Sequence, residues 1–376
     1  MQRVVILQEY VPAYRKPFFE QLIRLGLEQD VEIIVAAGKP SSGQSERGDA
    51  IDSEFVQYLP QVEVRIGGRR LVVRRTRHVI KSVDLVVLEQ ARRNLDAYGL
   101  LLRRKKNIVV ALWGHGRDYV KKPSKIELRL QRYLAERCGW FFAYTEAGAS
   151  HAINLGVSPH RMTVVRNSVD TTSIRNGAAE LSSSDLESYR RSLGLTEKSA
   201  VYIGGLDASK RIEFLLESAR IASDSDPDFR LLIVGDGVER SRVEAAAAAS
   251  PSIVYVGPQF GPEKVRALLA CQVIAMPGRV GLVAVDSFAA GRPIVTTDWP
   301  LHAPEFEYLT NGSDCVVTPN DSKSFANALN SLTSNKPALQ TMQAKCLEKS
   351  EDYSIDAMAT RFMAGIRNAL ISAGKE

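Results

Sequence analysis

Short runs rich in Val and Ile alternate with longer amphipathic stretches along most of the chain, and this alternation is the strongest constraint on its fold. It is typical of a parallel β-sheet whose strands are joined by helices that cover both faces. In the first half, the sequence predicts strands at residues 4–8, 31–37, 84–88, 108–112, 140–143 and 162–165. Helices are predicted between them at 16–27, 92–104 and 125–137.

The same pattern starts again after a polar stretch that ends near residue 199, which we interpret as the crossing between two domains. Second-half strands are predicted at 200–203, 230–234, 253–256, 273–276, 293–296 and 314–317, with helices at 212–223, 239–249, 282–290 and 355–371. A chain of 376 residues exceeds the usual size of one core. We therefore predict an α/β protein with domains at 1–170 and 171–354.

Positive charge is concentrated in the first domain. Residues 1–170 contain 28 Lys and Arg against 18 Asp and Glu, whereas the whole chain has a net charge of only +6. The clusters are Arg69, Arg70, Arg74, Arg75 and Arg77; Arg92 and Arg93; Arg103, Arg104, Lys105 and Lys106; and Lys121, Lys122 and Lys125. Such a field suits an anionic membrane surface, a pyrophosphate-bearing lipid or a nucleic acid, or it serves solubility alone. A nucleic-acid partner is not favoured, because the clusters lack interleaved aromatic residues.

The cellular compartment of the protein is inferred from its apolar runs and its cysteines. Its start has too short an apolar run for a secretory signal, and no run approaches the ~18 residues that span a bilayer. The four cysteines lie far apart, at Cys138, Cys271, Cys315 and Cys346, which favours buried free thiols in a reducing compartment. We expect a cytoplasmic protein that is soluble or peripheral on the inner face of the membrane.

Glycine-rich turns follow three predicted strands of the second domain. They contain Gly204 and Gly205, then Gly235 and Gly237, then Gly278 and Gly281. Glycine lets backbone N–H groups approach a ligand closely, and a following helix N-terminus favours negative charge. Since ligands of open α/β sheets bind at the carboxyl ends of the strands, these turns predict a site for a nucleoside diphosphate. Neither a dinucleotide fingerprint nor a phosphate-loop motif is present.

Two charged residues near these turns are candidates for the same ligand. Lys210 follows the first turn and is placed to meet a phosphate, although a solvated lysine is the simpler interpretation. Asp286 lies about one turn into the helix after Gly281, where its carboxylate suits a ribose diol or simply complements the helix dipole.

These residues together resemble the retaining glycosyltransferases of family 4, which have the GT-B architecture. In the second domain, the resemblance is carried by Ile203-Gly204-Gly205-Leu206 with Lys210, by Val234-Gly235-Asp236-Gly237, by Pro277-Gly278-Arg279-Val280-Gly281-Leu282 with Asp286 and Gly291-Arg292-Pro293, and by His302, Pro304-Glu305 and Asn311-Gly312. In the first, Pro12-Ala13-Tyr14-Arg15-Lys16-Pro17-Phe18-Phe19 resembles bacterial members that build surface polysaccharides, and Trp113-Gly114-His115-Gly116 and Asn167 to Asp170 also match.

The resemblance implies two Rossmann-like domains facing each other across a cleft, with residues 355–376 crossing back onto the first. It implies a retaining glycosyltransferase, a hexosyl- or N-acetylhexosaminyltransferase, that moves a sugar from a UDP- or GDP-sugar to a glycan or polyprenyl-diphosphate-linked acceptor in polysaccharide biosynthesis. The expected donor-binding residues are Gly204, Gly205, Gly235, Gly237, Gly278, Val280, Gly281, Leu282 and Asp286. Lys210, Arg279 and His115 are expected to be catalytic, and Tyr14 and Arg15 to contact acceptor phosphate.

The donor signature departs from the family pattern at three positions. Two glutamates of the pattern are replaced by Gly278 and Asp286, and an arginine is replaced by Gly205. Arg279 is expected to supply the missing charge. Because the departing diphosphate gains negative charge, fixed cations and helix N–H groups are expected to stabilise it without a metal or another cofactor. The acidic run Asp224-Ser225-Asp226 is interpreted as a solvated loop.

Two other functions remain open. A catalytically silent family member acting as a binding or adaptor subunit is consistent with Gly205 and Gly278. A sugar-nucleotide epimerase of the same architecture would need further acid–base groups, and the sequence has only five His.

Overall fold

The computed structural model describes residues 1–40, 53–66, 69–91, 93–103, 108–116 and 124–374. The chain divides into two compact units. Met1–Val169 and Ile355–Glu376 form the first unit, and Asp170–Ser354 form the second. Among the described residues, no helix combines the length and apolarity needed to cross a membrane.

The first unit is built on a seven-stranded parallel sheet with the order β3-β2-β1-β6-β7-β8-β9. Its strands are β1 (Gln2–Gln8), β2 (Val31–Ala37), β3 (Val56–Tyr58), β6 (Leu85–Glu89), β7 (Val109–Gly114), β8 (Trp140–Ala143) and β9 (Met162–Val164). A separate antiparallel hairpin consists of β4 (Gln61–Ile66) and β5 (Arg69–Arg74). The helices are α1 (Lys16–Glu28), α2 (Leu95–Arg103), α3 (Lys125–Arg137), α4 (Glu146–Asn154) and the C-terminal helix (Ile355–Ile371).

The C-terminal helix completes the core of the first unit. The Phe362 ring stacks on Phe142 of β8, with 4.2 Å between the centroids, and meets Trp113 of β7 edge to face. Gly365 permits this close approach, because a Cβ atom there would lie 2.5 Å from both Phe142 and Thr163. Aromatic pairs of this kind stabilise a core beyond the area that they bury. The last segment of the chain therefore packs with the first 169 residues.

The second unit has a six-stranded parallel sheet with the order β12-β11-β10-β13-β14-β15. Its strands are β10 (Ser199–Ile203), β11 (Arg230–Val234), β12 (Ile253–Tyr255), β13 (Val273–Ala275), β14 (Ile294–Thr297) and β15 (Cys315–Thr318). The helices are α5 (Thr172–Glu180), α6 (Ser183–Ser192), α7 (Ile212–Ser225), α8 (Arg240–Ala249), α9 (Gly261–Ala270), α10 (Val283–Ala290), α11 (Ser322–Ser334) and α12 (Lys336–Ser350). This is the order of a Rossmann-type sheet, whose strand order reverses between β10 and β13.

The predicted fold class, two Rossmann-like α/β domains, is confirmed, and the predicted strands occur within about two residues of their expected bounds. The polar stretch before residue 199, interpreted as the crossing between two domains, forms α5 and α6 at the start of the second unit. Ser182 caps α6: its hydroxyl accepts from the Asp185 N–H, and the Asp185 carboxylate accepts from the Ser182 N–H. Ile174 buries the narrow apolar face of α5, whereas α6 has no fully buried residue and begins at its capping box.

The sequence reading missed the β4–β5 hairpin. Its signal is the alternation of Val62 and Val64 before the Gly-Gly dipeptide at 67–68.

The four cysteines are buried free thiols, as predicted, and burial raises the pKa of each to about 12.

Candidate functional site

The three glycine-rich turns of the second unit meet at one edge of its sheet. Strand β10 pairs with both β11 and β13, so the segments that follow these strands are neighbours. The Gly204 N–H donates to the Val234 carbonyl over 3.1 Å, and the Leu206 N–H donates to the Asp236 carbonyl over 2.8 Å. The Arg279 N–H donates to the Ser209 carbonyl over 2.9 Å. The predicted turns therefore form one connected backbone surface.

Two of the glycines are required by close backbone contacts. Gly235 has a φ of +151°, and a Cβ atom there would lie 1.9 Å from the Gly204 carbonyl oxygen. At Gly278, a Cβ atom would lie 2.6 Å from backbone atoms of Ser209 and Lys210. Gly278 stands where the family pattern has a glutamate. The backbone around this turn therefore requires glycine in place of glutamate, because a larger residue at position 278 would push the turn away from Lys210.

Lys210 and Arg279 lie together, as their predicted shared role requires. The Lys210 Nζ donates to the Arg279 carbonyl over 2.6 Å. Burial lowers the pKa of Lys210; the Asp207 and Glu305 carboxylates oppose this effect, and the charge of Arg279 adds to it. The two cations are therefore close enough to repel each other, which favours an anion beside them.

A third cation, Arg211, belongs to the same group, and the sequence analysis did not single it out. Arg211 has a left-handed backbone, with a φ of +58°, directly before α7. Its guanidinium donates to the Pro277 carbonyl over 3.2 Å and to the Thr297 hydroxyl over 3.3 Å. Burial lowers its pKa. Only its position directly after Lys210 gave a signal.

His302 holds the turn that leads into α10. The Val280 N–H donates to Nδ1 over 3.1 Å, and Nε2 lies 2.9 Å from the Thr297 carbonyl. A carbonyl only accepts, so the proton is on Nε2 and the ring is neutral. Burial lowers the pKa of His302, and the nearby Lys210, Arg211 and Arg279 lower it further. The ring also stacks on Phe306, with 4.0 Å between the centroids.

The expected helix N-terminus follows this turn directly. Val280 is buried, and Gly281 and Leu282 precede α10, with the Ala284 N–H donating to the Gly281 carbonyl. The first N–H groups of a helix have no acceptor within it and carry partial positive charge. This end of α10 therefore adds to the cationic group formed by Lys210, Arg211 and Arg279.

Asp286 lies in the first turn of α10 and is only 8% exposed. Both of its carboxylate oxygens accept from the Nζ of Lys264 on α9, over 2.9 and 2.8 Å. The sequence reading placed Asp286 in the donor site and did not identify Lys264. Nothing in the sequence links positions 264 and 286, because their contact depends on how α9 packs beside α10.

In the first unit, the predicted acceptor-side residues Tyr14 and Arg15 and the predicted catalytic residue His115 lie around Tyr144, which follows β8. His115 is exposed, and its ring meets Tyr144 edge to face with 4.3 Å between the centroids. The Arg15 guanidinium donates to the Tyr144 hydroxyl over 2.8 Å and lies 4.3 Å from the Trp113 ring. Arg15 is 4% exposed and Tyr14 is 40% exposed. Tyr14 and His115 are therefore accessible at the surface, whereas the predicted direct phosphate contact of Arg15 requires movement of a buried side chain.

The predicted positive surface is reduced by internal ion pairs. Arg70 and Arg93 both pair with Glu9, a buried residue that follows β1. Arg74 pairs with Asp96 over 2.8 Å, and both of these side chains are almost fully buried. Arg74 and, to a large extent, Arg70 are thus turned inward although they were expected at the surface, whereas Arg93 is 45% exposed in its pair with Glu9. Arg92, Arg104, Lys105, Lys106, Lys121 and Lys122 lie outside the described residues.

The acidic run at Asp224 to Asp226 forms ordinary ion pairs. Asp224 pairs with Arg220 on α7 over 2.7 Å, and Asp226 pairs with Lys198 over 2.6 Å. Within the described ranges, no group of three or more His, Cys, Asp or Glu residues is arranged to hold a metal ion.

Two family models match the chain. The model described as Glycosyltransferase Family 4 matches residues 18–173, and the model described as Glycosyl transferases group 1 matches residues 197–335. A D-inositol 3-phosphate glycosyltransferase of Rhodococcus jostii (strain RHA1) is 24% identical over 266 residues, which cover 67% of this chain and 57% of that protein. A 2-deoxystreptamine glucosyltransferase of Streptomyces kanamyceticus is 26% identical over 44% of each chain. The matched segments thus span less than two thirds of the length of each of these relatives.

Solved structures share the fold over nearly the whole chain. Anabaena Alr3699/HepE in complex with UDP has a TM-score of 0.71 and 15% identity, covering 98% of this chain and all of that one. The sucrose-phosphate synthase (tll1590) of Thermosynechococcus elongatus has a TM-score of 0.68 and 14% identity, covering 98% of each chain. Identity at this level establishes a common architecture of two Rossmann-like domains.

Proposed function

Since the chain belongs to glycosyltransferase family 4 and has the GT-B fold, we propose that it transfers a sugar from a nucleoside-diphosphate sugar to an acceptor with retention of anomeric configuration. The observation that carries the proposal is the group of Lys210, Arg211 and Arg279 beside the N-terminus of α10. Four sources of positive charge at the carboxyl edge of a Rossmann-type sheet suit a diphosphate.

The transfer requires stabilisation of the departing diphosphate. As the bond between the sugar and the phosphate breaks, the sugar gains oxocarbenium character and the diphosphate gains negative charge. Lys210, Arg279 and the N–H groups around Gly281 are assigned to this charge, and Arg211 supports the backbone that carries them. Preorganised donors of this kind act most strongly where charge develops in the transition state. A divalent metal is not required by this mechanism.

The remaining donor contacts are assigned to the turns and to α10. Backbone groups from Gly204 to Gly237 approach the diphosphate, and the Asp286 carboxylate accepts hydrogen bonds from the ribose diol. Each carboxylate oxygen has a second lone pair, so the ion pair with Lys264 leaves acceptor capacity for a hydroxyl. Lys264 orients the carboxylate through both of these hydrogen bonds.

The acceptor is assigned to the first unit. Exposed His115 and Tyr14 are proposed to contact it, and Arg15 keeps Tyr144 in place beneath His115. A glycan or polyprenyl-diphosphate-linked glycan of a polysaccharide pathway is the acceptor class that the family resemblance suggests. A cytoplasmic location, peripheral on an anionic membrane, agrees with the net positive charge of residues 1–170.

The identity of the donor is tested by measuring nucleotide binding and nucleotide release. HepE was crystallised with UDP and with UDP-glucose, so UDP-hexoses and UDP-N-acetylhexosamines are tested first, followed by GDP-hexoses. Calorimetry with purified protein in EDTA is expected to show binding of one nucleotide class, and nucleotide release is expected to rise with an acceptor. Binding without release or transfer supports the silent family member, which Gly205 and Gly278 favour. Interconversion of sugar nucleotides without an acceptor supports the epimerase, and failure of every nucleotide to bind contradicts both the transferase and the epimerase.

A further inference from the structure

Exposed apolar side chains are concentrated on three elements of the first unit. Among the described residues, eighteen large apolar side chains are exposed, and nine of them lie on the β4–β5 hairpin, α2 and α3. The hairpin packs against α2, and α2 packs against α3. We call the exposed sides of these three elements the apolar–basic surface. A cluster of this kind on a protein surface marks an interaction site.

The β4–β5 hairpin has an inward face and an outward face that carry different side chains. The inward face has Val72, which is fully buried, and the paired side chains of Arg70 and Arg74. The outward face has Val62 directly opposite Val73, and Val64 next along β4. These three valines are 40–53% exposed. The outward face of the ribbon is therefore apolar and, among the described residues, exposed.

Helix α3 carries an apolar stripe and a basic stripe side by side. Ile126, Leu130 and Tyr133 follow the spacing i, i+4 and i+7 and form an apolar stripe, of which Ile126 is 78% exposed. Helices in globular proteins normally turn such a stripe toward the core, but α3 turns Ala135 inward instead.

The second stripe of α3 is basic. Lys125, Arg129 and Arg132 have the same spacing one residue away, and all three are exposed. Further exposed cations, Arg75 and Arg77, follow the hairpin. The exposed acids of α3 and the hairpin are Glu136 and Glu63, and Glu63 is paired with Arg70. The surface therefore combines apolar side chains with an excess of positive charge.

We propose that the apolar–basic surface docks the first unit on an anionic lipid bilayer. A helix with a basic stripe beside an apolar stripe lies in the interfacial plane, where the apolar side chains enter the boundary of the acyl chains and the cations meet lipid phosphates. A second copy of the chain fits less well, because a two-fold contact would set each basic stripe against its own copy. The proposal rests on the membrane association included in the proposed function and assigns residues to it.

Vesicle flotation tests the surface without any transfer assay. The probe is vesicles of phosphatidylcholine with or without an equal part of phosphatidylglycerol. The wild-type protein is expected to bind the anionic vesicles at least about tenfold more tightly than the neutral ones, and about 0.5 M NaCl is expected to weaken this binding. The α3 variant Ile126→Gln/Leu130→Gln/Tyr133→Gln and the hairpin variant Val62→Thr/Val64→Thr/Val73→Thr are each expected to weaken it about tenfold or more.

The matched control is Leu27→Gln/Ile153→Gln/Ile371→Gln, which removes three exposed apolar side chains elsewhere in the first unit. It is expected to bind vesicles as the wild type does. Circular dichroism and nucleotide affinity are measured for every variant, which separates loss of docking from loss of folding and from failure of the proposed function. Equal vesicle binding by the two test variants and the control overturns the proposal. So does sedimentation of the wild type as a dimer that the α3 or hairpin substitutions dissociate while vesicle binding is absent.

Discussion

The Lys264 ammonium binds both carboxylate oxygens of Asp286, over 2.9 and 2.8 Å, and joins α9 to the first turn of α10. Because Asp286 is nearly buried, removal of this partner would leave a buried carboxylate without a compensating charge. Lys264→Met is therefore expected to lower the free energy of unfolding by about 1–3 kcal/mol, measured by urea denaturation.

The double variant Lys264→Met/Asp286→Leu separates stability from donor binding. It removes both charges, so most of the lost stability is expected to return, while nucleotide affinity is expected to stay about tenfold or more below that of the wild type, because the ribose contact is gone. Calorimetry with the nucleotide gives the affinity. Wild-type affinity in the double variant would show that Asp286 does not contact the donor.

Lys210→Ala removes a cation from the proposed diphosphate site. Turnover is expected to fall about 10²–10³-fold with little change in fold, because the lost contact is strongest when the leaving group carries its charge. The measurement is kcat/KM with the donor identified by binding. Lys345→Ala is the control, since Lys345 is an exposed lysine of the same unit paired with Glu348 on α12. Equal turnover of the two variants contradicts the role of Lys210.

His302 makes stability depend on pH. Its pKa is lowered in the folded protein, so between this lowered pKa and the ordinary value of about 6.5 the unfolded chain binds more protons. Stability from this residue is therefore complete above about pH 6.5 and is lost as the pH falls toward the folded pKa, by at most about 1.4 kcal/mol per pH unit.

The measurement compares urea denaturation at pH 7.5 and 5.5 for the wild type and His302→Asn. The Asn side chain keeps an oxygen that can accept from the Val280 N–H but does not titrate. The acid-induced loss of stability is expected to be smaller in the variant. A loss of equal size would mean that His302 does not cause it.

Gly278→Glu restores the side chain of the family pattern but is not expected to restore a family-like site. A Cβ atom at Gly278 would lie 2.6 Å from the backbone of Ser209 and Lys210, so the turn must shift. Gly278→Glu and Gly278→Ala are both expected to lower the melting temperature and turnover. Gly99→Ala is the control, because Gly99 lies within α2 with no atom within 4 Å of the added Cβ, and alanine there is expected to stabilise by about 0.5–1 kcal/mol. Higher turnover of Gly278→Glu would contradict this account of the turn.

Arg15 and Tyr14 are adjacent but are expected to respond differently to substitution. Arg15→Met removes a buried hydrogen bond to Tyr144 and a contact with Trp113, and is expected to cost about 1–3 kcal/mol of stability. Tyr14→Ala changes an exposed side chain and is expected to alter stability by no more than about 0.5 kcal/mol while raising the KM of the acceptor. Denaturation curves and acceptor titrations measure the two effects. A large stability loss in Tyr14→Ala with unchanged acceptor KM would reverse this assignment.

Much of the fold follows from local patterns. The alternation of strands and helices, the restart after the polar stretch and the glycine-rich turns specify two Rossmann-like units, because each pattern depends on residues that are close in the sequence. The hairpin and the helices α5 and α6 were missed although they too have local signals. The apolar stripe of α5 is short, and Ser182, within the stretch interpreted as a domain crossing, is the cap of α6.

Only the tertiary structure decided which partners the individual polar side chains have. Lys264 meets Asp286, His302 meets Val280, and Arg70 and Arg93 meet Glu9 across 22 to 84 positions of sequence. No periodicity relates such residues, since their distance depends on the packing of whole elements. The same packing turned Arg74 inward and left the apolar stripe of α3 outward. Sequence therefore determined the kind of protein and the edge of the sheet where the proposed donor site lies, whereas the folded structure decided which charged side chains pair with one another.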